Sequence, residues 1–226
     1  MFDTAGATTC AGCAAAVQAG SGAIPWERRG ELGTVPAFLQ TVKVVLFRPQ
    51  ECLAPPPAPT GMGPALWFAL LCQMLGMLFA VLWQVATTLI TTASFGGGVG
   101  IGELLVMAVV GLFAGPFAAV YWVFLWGGVV HLLLMLFGGA RGGFEASARV
   151  QGYASATALL NVIPFVGGMI GMVWSLVVQI VGLGAAHQSG YGRSAAAVLA
   201  PLLVCCGLAA GLMVLAVTGF SALPNQ

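Results

Sequence analysis

Residues 103–137 read ELLVMAVVGLFAGPFAAVYWVFLWGGVVHLLLMLF, thirty-five positions in which Glu103 is the one charged side chain. As a single α-helix this stretch would be about 52 Å long, well over the roughly 30 Å of hydrocarbon that a crossing must cover. Pro116 lies inside it. A cut there leaves about a dozen residues on one side, too few to cross unless the glycine-rich 96–102 stretch is recruited. Proline inside a membrane helix is tolerated because neighbouring groups satisfy the freed carbonyl. The expectation is therefore one long helix, kinked at Pro116.

The composition around this stretch points the same way. The 226 residues are 60% hydrophobic and 6% charged, with net charge +1 and mean hydropathy +1.02. A soluble domain carries about 25% charged residues, so this chain cannot clothe a water-facing surface. A net charge near zero offers no field for a polyanion, which excludes a nucleic-acid partner. The class is an all-α integral membrane protein whose first partner is the lipid bilayer.

Four further crossings are expected beside 103–137: about 64–90, 149–163, 166–186 and 195–220. The pair 149–163 and 166–186 comes from splitting one long apolar stretch at Asn161-Val162-Ile163-Pro164-Phe165-Val166-Gly167-Gly168. Proline disfavours the helical state in the residue before it, and paired glycines permit positive φ. Pro164, Gly167 and Gly168 are thus read as a structural hinge. With five crossings the N-terminal segment and the loops near 138–148 and 187–194 share one side. That side then holds Arg28, Arg29, Lys43, Arg48, Arg141, Arg149 and Arg193, all seven basic residues. The positive-inside rule makes that side the cytoplasm. The expectation is an inner (cytoplasmic) membrane protein with a cytoplasmic N-terminus and an extracytoplasmic C-terminus. Residues 1–24 lack a basic stretch followed by a continuous apolar core, so the first crossing is expected to act as its own insertion signal.

Ahead of the crossings, residues 36–48 place Phe38, Leu39, Val42, Val45, Leu46 and Phe47 near one helical face, with Lys43 and Arg48 elsewhere. Such a helix either lies in the membrane interface beside anionic headgroups or packs on the cytosolic face of the bundle. Pro55, Pro56, Pro57 and Pro59 follow as a stiff hinge. Cys10 and Cys13 have the spacing of two zinc ligands. A closed site needs four and no second pair follows, so no metal and no cofactor are expected.

Four stretches, taken in order, resemble the Yip domain family of Ypt/Rab-interacting proteins. They are Pro25-Trp26-Glu27-Arg28-Arg29-Gly30 continuing to Phe38–Pro49; Val130-His131-Leu132-Leu133-Leu134 leading to Gly138-Gly139; Gly143-Phe144-Glu145-Ala146 through Arg149-Val150 to Tyr153-Ala154-Ser155; and Ile163–Gly168 with Trp174-Ser175-Leu176. The resemblance implies a five-span fold with a cytosolic N-terminus. Eukaryotic members are associated with Rab GTPases, vesicle traffic and membrane shaping. Low lysine with high alanine and glycine suggests a bacterial, high-GC origin, so a Rab partner is not carried over. Some bacterial relatives carry a complete zinc ribbon ahead of Pro-Trp-Glu; here Cys10 and Cys13 look like a degenerate half of one. The expected organisation is a cytosolic tail over 1–35, an interfacial helix and proline-rich hinge over 36–60, a Yip-type membrane domain over 61–220, and a tail over 221–226.

Polar side chains within the crossings are the candidate site: His131, Gln84, Gln179 and Asn161. An ionisable residue in a span is a functional candidate, although imidazole and amides also simply bridge helices. Nothing at i±4 on the helix of His131 offers a second metal ligand. Glu103 is read as a helix-start carboxylate favoured by the dipole. No nucleophile–base set, paired catalytic carboxylates, HExxH or phosphate-binding loop occurs, so an enzyme is not expected. Two readings remain. One is a non-enzymatic protein that organises or shapes membrane, or scaffolds an unidentified membrane or cytosolic partner. The other is a small oligomeric channel or transporter with a polar path near His131. Gly111…Gly115, Gly167…Gly171 and Gly207…Gly211 have the spacing of close helix contacts and allow a homo-oligomer.

Overall fold

The computed structural model describes residues 24–53, 61–95 and 100–221. Cys10 and Cys13, the proline cluster at 55–59 and the tail beyond 221 lie outside them. Among the described residues every element is helical. A 3₁₀ turn (Pro25–Arg28) and a single turn (Arg29–Leu32) lead into α1 (Thr34–Phe47), and another turn (Pro49–Cys52) follows it. The membrane domain holds α2 (Gly63–Phe95), α3 (Ile101–Leu136), α4 (Gly143–Ala154, continued as 3₁₀ over Ser155–Val162), α5 (Gly167–Ala186) and α6 (Tyr191–Ser221).

A helix stands at each of the five expected segments, but the one expected over 149–163 begins at Gly143, inside the stretch read as a loop, because only Gly138 to Gly142 are needed for the reversal. Four of the five (α2, α3, α5 and α6) are long and apolar enough to cross a membrane. The fifth, α4, is polar, and it survives in this setting because it is the inner helix. Every residue from Ser147 to Thr157 is buried. It runs parallel to α2 in contact so close that a Cβ on Gly152 would lie 2.8 Å from the Ala65 carbonyl oxygen, and one on Gly76 would lie 2.6 Å from that of Ala158. Farther along, the Trp83 indole N–H donates to the Asn161 carbonyl at 3.1 Å. From Ala65 to Trp83 is about 27 Å of helix, close to the hydrocarbon thickness. Twelve α-helical residues and eight 3₁₀ residues give α4 a reach of about 34 Å, but only its second half lies beside α2, where Gly152 to Asn161 spans about 17 Å.

Helix α3 runs antiparallel to α2, with Gly115 against Met74 and Gly111 against the Val81 side chain. It is continuous through Pro116. The backbone irregularity lies just beyond, as a π-helical turn over Tyr121–Trp126. That turn stacks Trp122 on Trp126, centroids 5.6 Å apart and planes 16° apart.

The hinge after α4 forms around Pro164, yet not as the glycines foretold. The residue with left-handed backbone is Phe165, at φ 64°. Gly167 is instead the first residue of α5. Its missing Cβ lets the α5 backbone close onto the Leu160 carbonyl, and Gly168 lies beside Asn161 in the same way. The glycines serve close approach rather than chain reversal.

Helix α1 packs one face on the bundle and leaves the other uncovered. Ala37, Thr41 and Val45, one turn apart, are buried against the bundle. Val35, Leu39 and Phe47 are exposed at 67%, 60% and 76%, with Lys43 and Arg48 also exposed. Trp26 locks the segment in place. Its backbone N–H donates to Thr41 Oγ1 and its indole N–H to the Pro64 carbonyl, both at 2.8 Å. Its ring joins Phe38, Phe68 and Tyr153 in one aromatic cluster, with neighbouring centroids 5.3–6.1 Å apart. Trp26→Phe removes the bond to Pro64 and part of a buried ring, so it is expected to cost about 1–3 kcal/mol. The melting temperature of the purified protein checks this.

Candidate functional site: the polar end of the bundle

Helix α3 outruns α2. Phe124 lies level with Gly63, since both line one groove, and His131 is a further seven residues along, about 10 Å. The last two turns of α3, the first half of α4 and the end of α5 thus project past the start of α2. There they meet the N-terminal segment, and buried polar groups collect between them.

One group binds the N-terminal segment to α4. Arg149 Nη2 lies 2.6 Å from Glu27 Oε1, and the two side chains are 9% and 6% exposed. The Tyr153 hydroxyl donates to the same carboxylate oxygen at 2.8 Å. Arg149 and Tyr153 are one turn apart, so a single helix face presents both. Cys52 is buried beside this pair. Burial, reinforced by the Glu27 carboxylate and opposed by Arg149, pushes its thiol up to about 12. It stays protonated at neutral pH and offers no thiolate to a metal.

A second group joins α3, α4 and the loop after α5. His131 Nδ1 lies 2.8 Å from Ser147 Oγ, and His187 Nε2 lies 2.9 Å from that same oxygen. The tautomers follow from one fixed donor. The Gly142 backbone N–H donates to His187 Nδ1 at 2.9 Å, so the neutral His187 carries its proton on Nε2 and donates to Ser147. The serine hydroxyl then donates to His131 Nδ1. A metal at this point would have to displace that proton and lose the serine bridge. Among the described residues no three His, Cys, Asp or Glu side chains gather as a metal site. Substituting Ser147→Ala leaves two buried imidazole nitrogens facing each other without their bridge, and is expected to destabilise by about 1–3 kcal/mol. Thermal melts compared with a conservative Ser147→Thr variant would check it.

Gln179 forms a third contact, accepting from the Trp126 indole N–H at 2.8 Å and donating to Ser175 Oγ at 2.7 Å. Between it and the histidines lies Gln151, fully buried, with neither amide atom bonded among the described residues. Gly127 leaves room for it; a Cβ there would sit 3.1 Å from Gln151 Cγ. An apolar isostere removes the desolvation cost, so Gln151→Met is expected to raise stability by about 1–3 kcal/mol. A lowered melting temperature would contradict this.

The four candidate residues do not meet. His131 bonds Ser147, Gln179 bonds Trp126 and Ser175, and only Gln84 and Asn161 share a pocket, at the far end of α2. The principal groups of the polar end (Glu27, Arg149, Tyr153, Ser147 and His187) were not among the candidates. Looking four residues either side of His131 could not find partners that come from other helices. All seven basic residues fall in the N-terminal segment, in the α-helical half of α4, in the loop before it or in the first turn of α6. Arg141 donates to the Gln188 carbonyl and Arg193 to the Gly138 carbonyl, each at 3.2 Å, tying the two loops of this end together.

No curated protein and no solved structure matches the chain. The family model described as Yip1 domain matches residues 43–213. The match opens inside α1 and takes in Arg149, Tyr153, Ser147 and both histidines, while Pro25-Trp26-Glu27 precedes it and joins it through the buried ion pair. On this match, which covers most of its length, the chain belongs to the Yip1 domain family.

Proposed function

We propose that this protein is a non-enzymatic organiser of the bilayer that acts by loading one leaflet more heavily than the other. The observation that carries the reading is the outward face of α1. Val35, Leu39 and Phe47 are uncovered on a helix that starts at the polar end and runs along the flank of the bundle as far as Trp174, whose indole N–H donates to the Leu46 carbonyl at 2.9 Å, with Lys43 and Arg48 alongside to meet anionic headgroups. By the distribution of basic residues this end faces the cytoplasm. The separation of His131, Gln179 and Gln84 into distinct contacts favours this reading over transport, which needs polar groups along one path. The rigid docking of the N-terminal segment also suits a protein partner that recognises the loops at the same end.

The test is reconstitution into liposomes containing anionic lipid, scoring vesicle shape and solute flux together. The native protein is expected to deform vesicles without flux. Leu39→Glu with Phe47→Glu is expected to abolish deformation while the protein still inserts. Flux that disappears in His131→Ala would instead support transport.

A further inference from the structure

At the end opposite the N-terminal segment, α2, the last turn of α4 and the first turn of α5 line an open pocket of about 210 Å³. We infer that this pocket binds the glycerol–ester region of a diacyl lipid from the leaflet remote from α1. The inference rests on the chain lying in a bilayer and not on the action of α1, so its failure would leave the proposed function standing.

The lining sets the ligand class. Ala80, Ile163 and Phe165 give it apolar walls, and Gln84, Thr87 and Asn161 give it polar ones. Asn161 spends its amide N–H on the Gly76 carbonyl at 3.3 Å, and Gln84 reaches Thr88 Oγ1 only at 3.5 Å. Among the described residues neither amide oxygen receives a donor, so each side chain keeps an unused acceptor and an unused N–H. No charged side chain lines the pocket. A phosphate would find no cation there, and a metal ion no carboxylate. The pocket suits a neutral group that offers carbonyl acceptors, or hydroxyls, joined to an apolar body.

The level supplies the source. Trp83 borders the pocket, and beyond it α2 turns hydroxyl-rich, with Thr87, Thr88, Thr91 and Thr92. Tryptophan marks the membrane–water interface, the zone where lipid esters reside. Trp67, about 24 Å back along the helix, is exposed at 61% and marks the other interface. The ester–glycerol region is the neutral, acceptor-rich part of a lipid at this depth, and Ile163 and Phe165 line the way for its chains.

The experiment places the full chain in phosphatidylcholine vesicles doped with a phosphatidylcholine whose diazirine sits near the ester, followed by photolabelling and peptide mapping. Labelling is expected to concentrate on 80–87 and 161–168 over the equally lipid-facing 105–113. Gln84→Leu is expected to lower it on the order of three- to tenfold, the worth of one hydrogen bond. Ala80→Trp, which fills the pocket, should abolish it. Labelling of 105–113 serves as the control that each variant is inserted and folded. Even labelling of all three peptides, unchanged by either variant, would overturn the inference. Competition by free glycerol in place of lipid would overturn it too, by assigning the pocket to a soluble polyol.

Discussion

Replacing Arg149 with leucine is expected to cost about 3–5 kcal/mol, because it leaves the Glu27 carboxylate buried without its counter-charge. For a chain of this length that is a fall of roughly 6–20 °C in melting temperature. The loss should be local in character. Glu27 holds the N-terminal segment to α4, so residues 24–53 are expected to become accessible to protease before the membrane helices open. Removing both charges together, as Glu27→Gln with Arg149→Met, should recover most of the stability, since a neutral amide that can still accept from Tyr153 and an apolar side chain replace the two buried charges. An Arg149→Leu protein that melts like the parent would show that the ion pair adds nothing and that Trp26, Tyr153 and the buried face of α1 hold the segment without it.

The second large effect belongs to Gly76. An alanine Cβ there meets the Ala158 carbonyl oxygen at 2.6 Å, the carbonyl carbon at 2.9 Å and its Cβ at 2.9 Å. Two of these three atoms are backbone, so no side-chain rotation relieves the clash. Gly76→Ala is expected to destabilise by about 1–3 kcal/mol through displacement of α4 from α2, and Gly76→Val by more. Gly152, pressed on the Ala65 carbonyl in the same interface, should behave alike. Gly207 and Gly211 have nothing within 4 Å of a built Cβ, and alanine at either is expected to be neutral in the purified monomer. Equal melting temperatures for Gly76→Ala and Gly207→Ala would remove the close α2–α4 contact from the account.

Much of the fold was legible because it is written in hydropathy and charge. The apolar runs give α2, α3, α5 and α6 directly, and the basic residues Arg141, Arg149 and Arg193 gather at one end of the bundle as the charge argument expects. Helix α4 was legible only through Pro164 and the loops around it. Its own composition (Ser147, Arg149, Gln151, Ser155 and Thr157) hides it from any measure of apolarity, since its solvent is the other helices. The site was less legible for a related reason. His131 stands out as an ionisable residue in an apolar run, but its partners come from α4 and from the loop after α5, and no spacing rule along one helix reaches them. Glu27 and Arg149 are 122 positions apart, each unremarkable on its own. The role of Phe165 was read onto the neighbouring glycines because left-handed backbone is normally glycine's; here the glycines were needed for contact with Leu160 and Asn161, and the turn fell to a phenylalanine.

We propose as the central claim that α4, although polar, is enclosed by the other helices and brings its two ends to opposite sides. Single cysteines at Arg141 and Phe165 in an otherwise cysteine-free protein, reacted with a membrane-impermeant thiol reagent in sealed, oriented vesicles, test this directly. The account predicts that Arg141→Cys reacts from the side that also labels Glu31→Cys, and Phe165→Cys from the other. Labelling of both from the same side, or of Phe165→Cys from neither, would contradict it.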